Sequence, residues 1–563
     1  MRKLLKKFTF FLPIYLLIIF ILLCIKLDAQ DLQADTLKPI SNFRRWNQNI
    51  LPTPYTRQKN KLLMPMAVGY TNFDDNIRDL QLLGKLQPEQ SLTTRPYILT
   101  PKLGYDSVLS MIDPEFENHG HLIKKNLVDL QLLPINFLQK YNSHHPYGWN
   151  DGPLSFSKGY QFVGSGGFYM RLLNIHLTLR PEFFKTASDP YESSADWGQR
   201  TSAISKLTLG QSSLRIDLGP LSIGASTQNL WLGPGVYSSL LMSNNAQGFN
   251  HFSFGTNRPI KTPLGSFELN IIGGTLYSNL KQGFENKFLK KTNVDPYTRY
   301  INLLTFTYRP VLFRNLYLGA NRAFQQPTQI NPSNKLTDYY MISLKPLFRS
   351  VYQDNSVSID QLISGFVKYI FPKEHAEIYF EYGWNDGSSN SRDLVLDNAH
   401  SAASIFGFKK SSYLNNNSFL SLELEATKMA QSPGYLVRNA NNWYEHGMLK
   451  DGYTNENQIM GAGSGFGNNL QTISFSLNKG WNKYGIKFQH ISQSPMLIVS
   501  DWTNLYLRNI DWDDYTYGII LKNKYKNILF NLNIDWVYSK NYLWEKRNNK
   551  SNLFVFFNTI YLW

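Results

Sequence analysis

The sequence is poor in cysteine and in charge. Cys24 is the one cysteine among 563 residues, and charged residues make up 17%, below the roughly one quarter that is usual in soluble proteins. Cys24 lies in a hydrophobic leader that we expect to be removed on export. The mature chain would then lack cysteine, which excludes disulfides and thiolate chemistry.

Long apolar runs and catalytic motifs are also missing. After residue 26 no segment reaches the roughly 18 apolar residues of a membrane-spanning helix. There is no HExxH motif and no clustered Cys/His set, so we predict no metal and no cofactor. The glycine-rich segment 461–467 lacks the Lys-Ser/Thr of a phosphate-binding loop, and we interpret it as a tightly turning loop.

Aromatic residues, in contrast, are abundant. They form 15% of the chain, with 34 Tyr and 36 Phe, yet the mean hydropathy is −0.32. A rich aromatic supply without net hydrophobicity is typical of elements that have one apolar and one polar face.

The N-terminus carries a predicted export signal. Basic "MRKLLKK" precedes apolar "FTFFLPIYLLIIFILLCI", and Ala29 offers a small residue for cleavage, so we predict a signal peptide over 1–29, with an uncleaved anchor as the alternative. Its removal lowers the formal net charge from +16 to +12, because five basic residues and one acid leave. An exported basic protein is expected to meet anionic glycans or lipid head groups rather than nucleic acid. The alternative is that the charge serves solubility alone.

Period-two alternation recurs along the rest of the chain. In 473–478 Ile, Phe and Leu alternate with Ser, Ser and Asn, and 419–427 and 528–539 alternate in the same way. Such strands fit either a soluble sandwich or propeller, or a membrane barrel whose polar face lines the lumen. Short and long connections alternate along the chain, which favours an outer-membrane barrel with short periplasmic turns and long outside loops.

Residues 30–128 do not alternate. Segment 72–86 places Ile and Leu at helical spacing behind a cap-like Asn, and 104–112 is a second candidate helix. We therefore expect a periplasmic helix-rich segment over 30–128 and an outer-membrane β-barrel with long extracellular loops over 129–563. The terminal strand, which ends on Trp563, resembles the signal that the barrel-assembly machinery reads during biogenesis.

Four segments resemble the capsule-assembly Wzi family of outer-membrane proteins. They are "QNLWLGPGVYSSLLMSNNAQGFNHFSFGTNRPIKTPLGSFELNIIGG" (228–274), "AEIYFEYGWND" (376–386), "WYEHGMLKDGYTNENQIMGAGSGFGNNLQ" (443–471) and "GWNDGPLSFSKGYQF" (148–162). The resemblance implies an all-β fold, an 18-stranded antiparallel transmembrane β-barrel with a small periplasmic helical segment. It also implies a lectin-like role at the cell surface, without enzyme activity. With that architecture as a guide, eighteen strands are placed from 129–140 to 551–563, among them 174–184 and 418–428. The least regular are 213–218 and 221–227.

Candidate binding residues follow from the chemistry of sugars. Flat aromatic rings suit the apolar faces of pyranoses, amides and carboxylates suit their hydroxyls, and Arg suits acidic sugars. Three predicted outside loops offer such groups, and the candidates for polysaccharide binding are Trp231, Tyr237, Trp384, Asn385, Asp386, Arg392, Arg438, Trp443, Tyr444, Glu445 and His446. The alternative is that these aromatics form the outer girdle or pack the loops together.

Charged residues on the polar strand faces have two interpretations. Arg180, Glu377, Glu423 and Lys487 would project into the lumen, where they would select solutes or pair with one another. Because both signs are present, we favour pairing that fills the lumen.

We predict an outer-membrane protein that binds capsular or other surface polysaccharide and helps attach or assemble it. Its other contact would be outer-membrane lipid. A porin or uptake channel is the alternative, and an outer-membrane hydrolase is third. If 30–563 proved soluble without detergent, a β-sandwich or propeller would replace all three.

Overall fold

A computed structural model describes residues 73–563 apart from 87–89, 99–104, 126, 188–202, 278–297, 329–359, 386–398, 400, 416–417, 432–441, 447–448, 450–451 and 494–509. Within this part the strands close into one antiparallel barrel with eighteen positions around its wall. The last strand pairs with the first, Phe554 opposite Asn142 and Tyr561 opposite Ile135, which leaves no open edge there. The predicted fold class and strand number are confirmed.

Sixteen wall positions are formed by one strand each and the other two by two short strands each, which makes twenty wall strands. In chain order the wall strands are β3 Val128–Asn142, β4 Gly159–Leu172, β5 Ile175–Leu179, β6 Glu182–Lys185, β7 Ser205–Thr208, β8 Ser213–Leu218, β9 Leu221–Ser226, β11 His251–Thr256, β13 Gly265–Tyr277, β14 Thr298–Pro310, β15 Leu316–Pro327, β16 Asp360–Phe371, β17 Ala376–Asn385, β18 Ala402–Asn415, β19 Ser418–Lys428, β22 Asn469–Lys479, β23 Asn482–Gln493, β24 Trp512–Tyr525, β25 Ile528–Lys540 and β26 Lys550–Tyr561. The lesser strands are β1 Thr94–Arg95, β2 His121–Lys124, β10 Trp231–Leu232, β12 Ile260–Thr262, β20 Thr454–Asn455 and β21 Gln458–Ile459.

Two wall positions are interrupted. β5 and β6 lie end to end along β4, and β8 and β7 continue them on the next position. Pro181 lies between β5 and β6, where it cannot donate to a ladder. A lone bridge from Arg180 to Gly210 joins the two broken positions.

The barrel is apolar outside and polar inside. Along β22, Ile473, Phe475 and Leu477 are 49%, 45% and 38% exposed, whereas Ser474 and Ser476 are 1% and 2% exposed. A soluble protein places these two faces the other way round. The outer surface is therefore the lipid-facing surface of a membrane barrel.

Two helices close the end of the barrel where the connections are short. α1 (Phe73–Leu82) and α2 (Tyr105–Ile112) bury their apolar sides against the inner wall, in a cluster formed by Phe73, Ile77, Leu80, Tyr105, Val108, Leu109, Leu133, Tyr169, Trp481, Leu529 and Ile560. Both predicted helices are present. No helix in the described ranges combines the length and hydrophobicity needed to cross a membrane.

Ion pairs join these helices to the wall. Lys409 Nζ lies 2.7 Å from Asp79 and 3.1 Å from Glu423, and Arg78 pairs with Glu377, whose other oxygen is 3.2 Å from Lys368 Nζ. The charges on the polar strand faces pair and fill the lumen, as the sequence favoured.

Candidate functional site

Two loops from the opposite, long-loop end fold back into the barrel. They are 227–250 and 442–468, and their apolar side chains form the largest buried cluster of the described chain, including Leu240, Leu241, Trp443, Tyr444 and Tyr453. Hydrogen bonds tie the loops together: Tyr444 donates to Leu240 O at 2.8 Å, and Ser243 N donates to Met460 O at 2.7 Å. The lumen is thus filled from both ends.

The wall acids hold the tip of the first loop. Glu425 accepts hydrogen bonds from Val236 N at 2.7 Å and Tyr237 N at 3.1 Å, and Tyr237 donates to Glu423 at 2.6 Å. Gly233 has φ +128°, and a Cβ at this position would approach Glu381 Oε2 to 2.8 Å. Glycine is therefore required at position 233 for the tip of the loop to pack against Glu381.

A cleft at the long-loop end lies between the β3–β4 connection and the second inward loop. Its walls are aromatic, formed by Tyr147, Trp149, Phe156 and Phe466, and its volume is about 60 Å³. The rings of Tyr147 and Trp149 meet edge to face with centroids 5.3 Å apart. We name this set of residues the outer cleft.

Amides line the remainder of the outer cleft. Asn468 donates to Gln493 Oε1 at 2.6 Å, and Gln493 donates to Asp514 Oδ2 at 2.7 Å, so the amides are held in one chain of hydrogen bonds. Within the described chain, Gln458 Oε1 and Ser464 Oγ are buried and have no hydrogen-bonding partner. A buried polar atom without a partner is costly, so both atoms are suited to a hydroxyl brought by a ligand.

A buried ion pair fixes the loop that carries Trp149. Lys140 Nζ lies 2.6 Å from Asp151 and 3.0 Å from Gly148 O, with both side chains at most 3% exposed. Burial raises the pKa of Asp151, an effect that Lys140 opposes. Nearby, burial lowers the pKa of His145 to about 3. The loop is therefore held rigidly, and His145 is neutral at physiological pH.

The structure separates the residues predicted from the sequence. Trp231, Trp443 and Tyr444 are at most 3% exposed and lie in the interior, so they serve loop packing and offer no ring face to the outside. Tyr237 is the residue that anchors the first loop to Glu423. Asn385, 4% exposed, donates to Glu445 O at 3.2 Å.

The remaining predicted residues lie elsewhere. Trp384 lies on the outward face of β17 beside Tyr382, their ring centroids 4.8 Å apart. His446 accepts a hydrogen bond from Leu449 N, and burial raises the pKa of Glu445. Asp386, Arg392 and Arg438 fall outside the described residues. Sugar binding by the set as a whole stays a prediction.

Reasoning from the sequence missed the outer cleft. One signal is present in the sequence: "GWNDG" occurs twice, at 148–152 and 383–387, and of the two copies only the second supplies predicted binding residues. The cleft also needs Gln458, Ser464 and Gln493, which lie far along the chain from 147–156 and meet those residues only in the folded barrel.

Comparisons with known proteins agree with this architecture. The family model described as "Capsule assembly protein Wzi" matches residues 155–479. The solved structure of Wzi from Escherichia coli, an outer-membrane protein described as a carbohydrate-binding β-barrel involved in group 1 capsule assembly, is 13% identical, with a TM-score of 0.59 over 90% of this chain and 100% of that chain. Identity this low supports the shared fold alone.

Two Pseudomonas aeruginosa structures are less similar. OccK7 (OpdD) is 9% identical and covers 78% of this chain and 100% of its own, and OprD is 7% identical and covers 76% and 92%; both have a TM-score of 0.36. No curated protein matches the chain by sequence.

Proposed function

Because the chain belongs to the capsule assembly protein Wzi family, we propose that its long-loop end faces the outside of the cell and holds surface polysaccharide there without covalent chemistry. The short-turn end, closed by α1 and α2, would then face the periplasm. On this proposal the protein retains or organises a polymer at the surface of the outer membrane.

The outer cleft carries this proposal. It combines flat rings with buried amide and hydroxyl oxygens that lack partners. An aromatic ring covers the apolar face of a sugar, and a sugar hydroxyl can donate to one oxygen and accept from another donor. A cleft of about 60 Å³ suits one exposed edge of a polymer rather than an enclosed small molecule.

The filled lumen supports retention over transport. Two inward loops occupy the long-loop half, and two helices occupy the short-turn half. A diffusion channel needs a continuous wet path, and the buried apolar cluster around Leu240 and Tyr444 lies across that path.

The test is binding of the detergent-purified protein to the surface polysaccharide of the cell that produces it. Trp149→Ala removes a ring of the outer cleft and should weaken binding about fivefold to tenfold. Ser464→Ala removes an unpartnered buried oxygen, so it should weaken binding while leaving thermal stability unchanged or improved. Trp536→Ala is the matched control, because Trp536 lies on the outward face of the barrel and is 48% exposed.

Equal binding by all three variants and the native protein would contradict the proposal. A Trp384→Ala variant in the same series tests the residue that was predicted from sequence. Loss of binding in that variant alone would move the site from the outer cleft to the outward face of β17.

A further inference from the structure

Among the residues that the structure describes, the barrel wall leaves a gap near the long-loop end. β9 ends at Ser226, where the chain turns into the lumen, and the next wall strand, β11, begins at His251 opposite it. β7 pairs with β6 alone, and the last residues of β13, Thr275–Tyr277, pair with β14 alone. In the described chain no strand lies between β7 and this end of β13.

The loop side of the gap is well satisfied. Thr275 N donates to Asn250 O at 3.0 Å, Tyr277 N donates to Asn455 Oδ1 at 3.0 Å, and Tyr277 O accepts from Glu456 N at 2.9 Å. The inward loops therefore cap the edge of β13. Lys206 reaches across the gap from β7 to Glu456, with Nζ 3.3 Å from the carboxylate.

The β7 side of the gap is not satisfied in this way. Residues of an antiparallel strand direct their backbone groups alternately to either neighbour, and Thr186 N bonds to Ile204 O. Ile204 therefore directs its backbone groups toward β6. Leu207 lies three residues further along the strand, so its N–H and C=O point the opposite way, toward the gap. The side chains of Leu207 and Leu209 face outward and are 70% and 59% exposed. Backbone groups at a lipid-facing opening require a hydrogen-bonding partner.

A cavity of about 280 Å³ lies behind the gap. This is many times the 10–15 Å³ or so that one water needs. Its lining includes Lys206, Gln247, Phe249, Tyr277 and Glu456, and Gln247 Oε1 is buried without a partner. Polar groups therefore line the inside, leucines form the outer lip, and Tyr277, 38% exposed, lies between them. Tyrosine is typical of this boundary between hydrocarbon and polar groups.

We propose that this lateral gap binds a glycolipid of the outer leaflet. The leucine lip fits an acyl chain, and the cavity fits a sugar head group whose hydroxyls bond to Gln247 and to the backbone of Leu207. A polymer approaching from water has no use for an apolar lip. A phospholipid such as phosphatidylglycerol offers only two head-group hydroxyls and no sugar ring, whereas a sugar head group offers several hydroxyls to the polar lining of the cavity. The inference deepens the proposed function and rests on it, since it assigns the membrane-anchored end of a surface glycan to a second site.

The test uses native mass spectrometry of the detergent-solubilised full-length protein. Rough lipopolysaccharide, its delipidated core oligosaccharide and dimyristoyl phosphatidylglycerol are offered at equal concentration. Rough lipopolysaccharide should bind at least about fivefold more than either other probe. Gln247→Leu and Leu207→Ala should each reduce its bound fraction about threefold to tenfold. Ile486→Ala, which truncates an outward residue 64% exposed on the far wall, should bind like the native protein.

Equal binding by Gln247→Leu, Leu207→Ala and the native protein would overturn the inference, as would equal binding of phosphatidylglycerol and lipopolysaccharide. Lipid-free polysaccharide separates this site from the outer cleft. Leu207→Ala should bind that polymer normally, whereas Trp149→Ala should bind the polymer about fivefold to tenfold more weakly and the glycolipid normally. A reversed pattern would contradict the assignment of the two sites.

Discussion

Single side chains in the interior are matched to particular partners. His145 is 1% exposed, with Nε2 3.2 Å from Ser539 Oγ and its ring 5.1 Å from that of Tyr542. Such a residue is stable as the neutral form and has no nearby carboxylate hydrogen-bonded to it in the described chain. Protonation of His145 at acidic pH is therefore expected to destabilise the folded protein.

Lowering the pH should destabilise the protein through His145. Burial lowers its pKa from 6.5 to about 3 in the folded state, so between these values the unfolded chain binds more protons. The stabilising effect is complete above pH 6.5 and is lost as the pH falls toward 3. At pH 4.5 the loss reaches at most about 2–3 kcal/mol. Thermal unfolding in detergent should show a smaller acid-induced drop in Tm for His145→Gln than for the native protein; parallel curves would contradict this.

Residue patterns in the sequence identify the aromatic residues of the loops but do not indicate which of them are exposed in the folded protein. Trp443 and Trp149 look alike as loop aromatics, yet one is 0% exposed and the other lines the outer cleft. Periodicity indicates which face of a strand is buried, whereas an irregular loop has no period to read. Whether a loop aromatic packs in the interior or lines a binding cleft is therefore visible only in the folded structure.

At the scale of elements, α1 acts as a charged plug. Arg78 pairs with Glu377 and lies over the ring of Tyr379, 5.1 Å from its centroid. Both members of the ion pair are at most 2% exposed. Removing Arg78 would leave the buried Glu377 carboxylate with Lys368 alone, 3.2 Å away, so Glu377 would lose part of its charge compensation and its hydrogen bond to α1.

Arg78→Met should therefore loosen α1 without opening the barrel. We expect the docking of α1 to weaken by about 1.5–3 kcal/mol, seen as faster hydrogen exchange in 73–82 while the barrel keeps its heat-modifiable migration. Lys124→Met is the control, because its pair with Asp106 at 2.9 Å is about half exposed and contributes about 1 kcal/mol or less. Equal exchange in both variants would show that α1 is held by apolar packing alone.

Strand alternation predicted the elements well where the wall is regular. Strands 418–428 and 213–218 are observed with the predicted bounds. The predicted strand 174–184 is instead two strands broken near Pro181, and β7 was missed because four residues give no usable alternation. The first helix ends at Leu82 rather than 86, since Gly84 adopts φ +72° and turns the chain.

At the largest scale, the described part of the molecule is a barrel closed by its own chain. Its outer surface faces lipid, whereas the outer cleft faces solvent. The paired interior charges and the inward loops fill the lumen and keep these two surfaces apart. Both proposed binding sites depend on this separation, because the outer cleft must be in water and the lateral gap must meet lipid.

Spin labels on β22 test that separation most directly. Because the mature chain is expected to lack cysteine, single cysteines at 473–477 can be labelled one at a time in the reconstituted protein. The account predicts period-two behaviour, with labels at 473, 475 and 477 reached by oxygen but not by a water-soluble nickel chelate, and labels at 474 and 476 reached by neither. Free access of the nickel chelate to 473, 475 and 477 would show that this face is in water, and would contradict the membrane barrel.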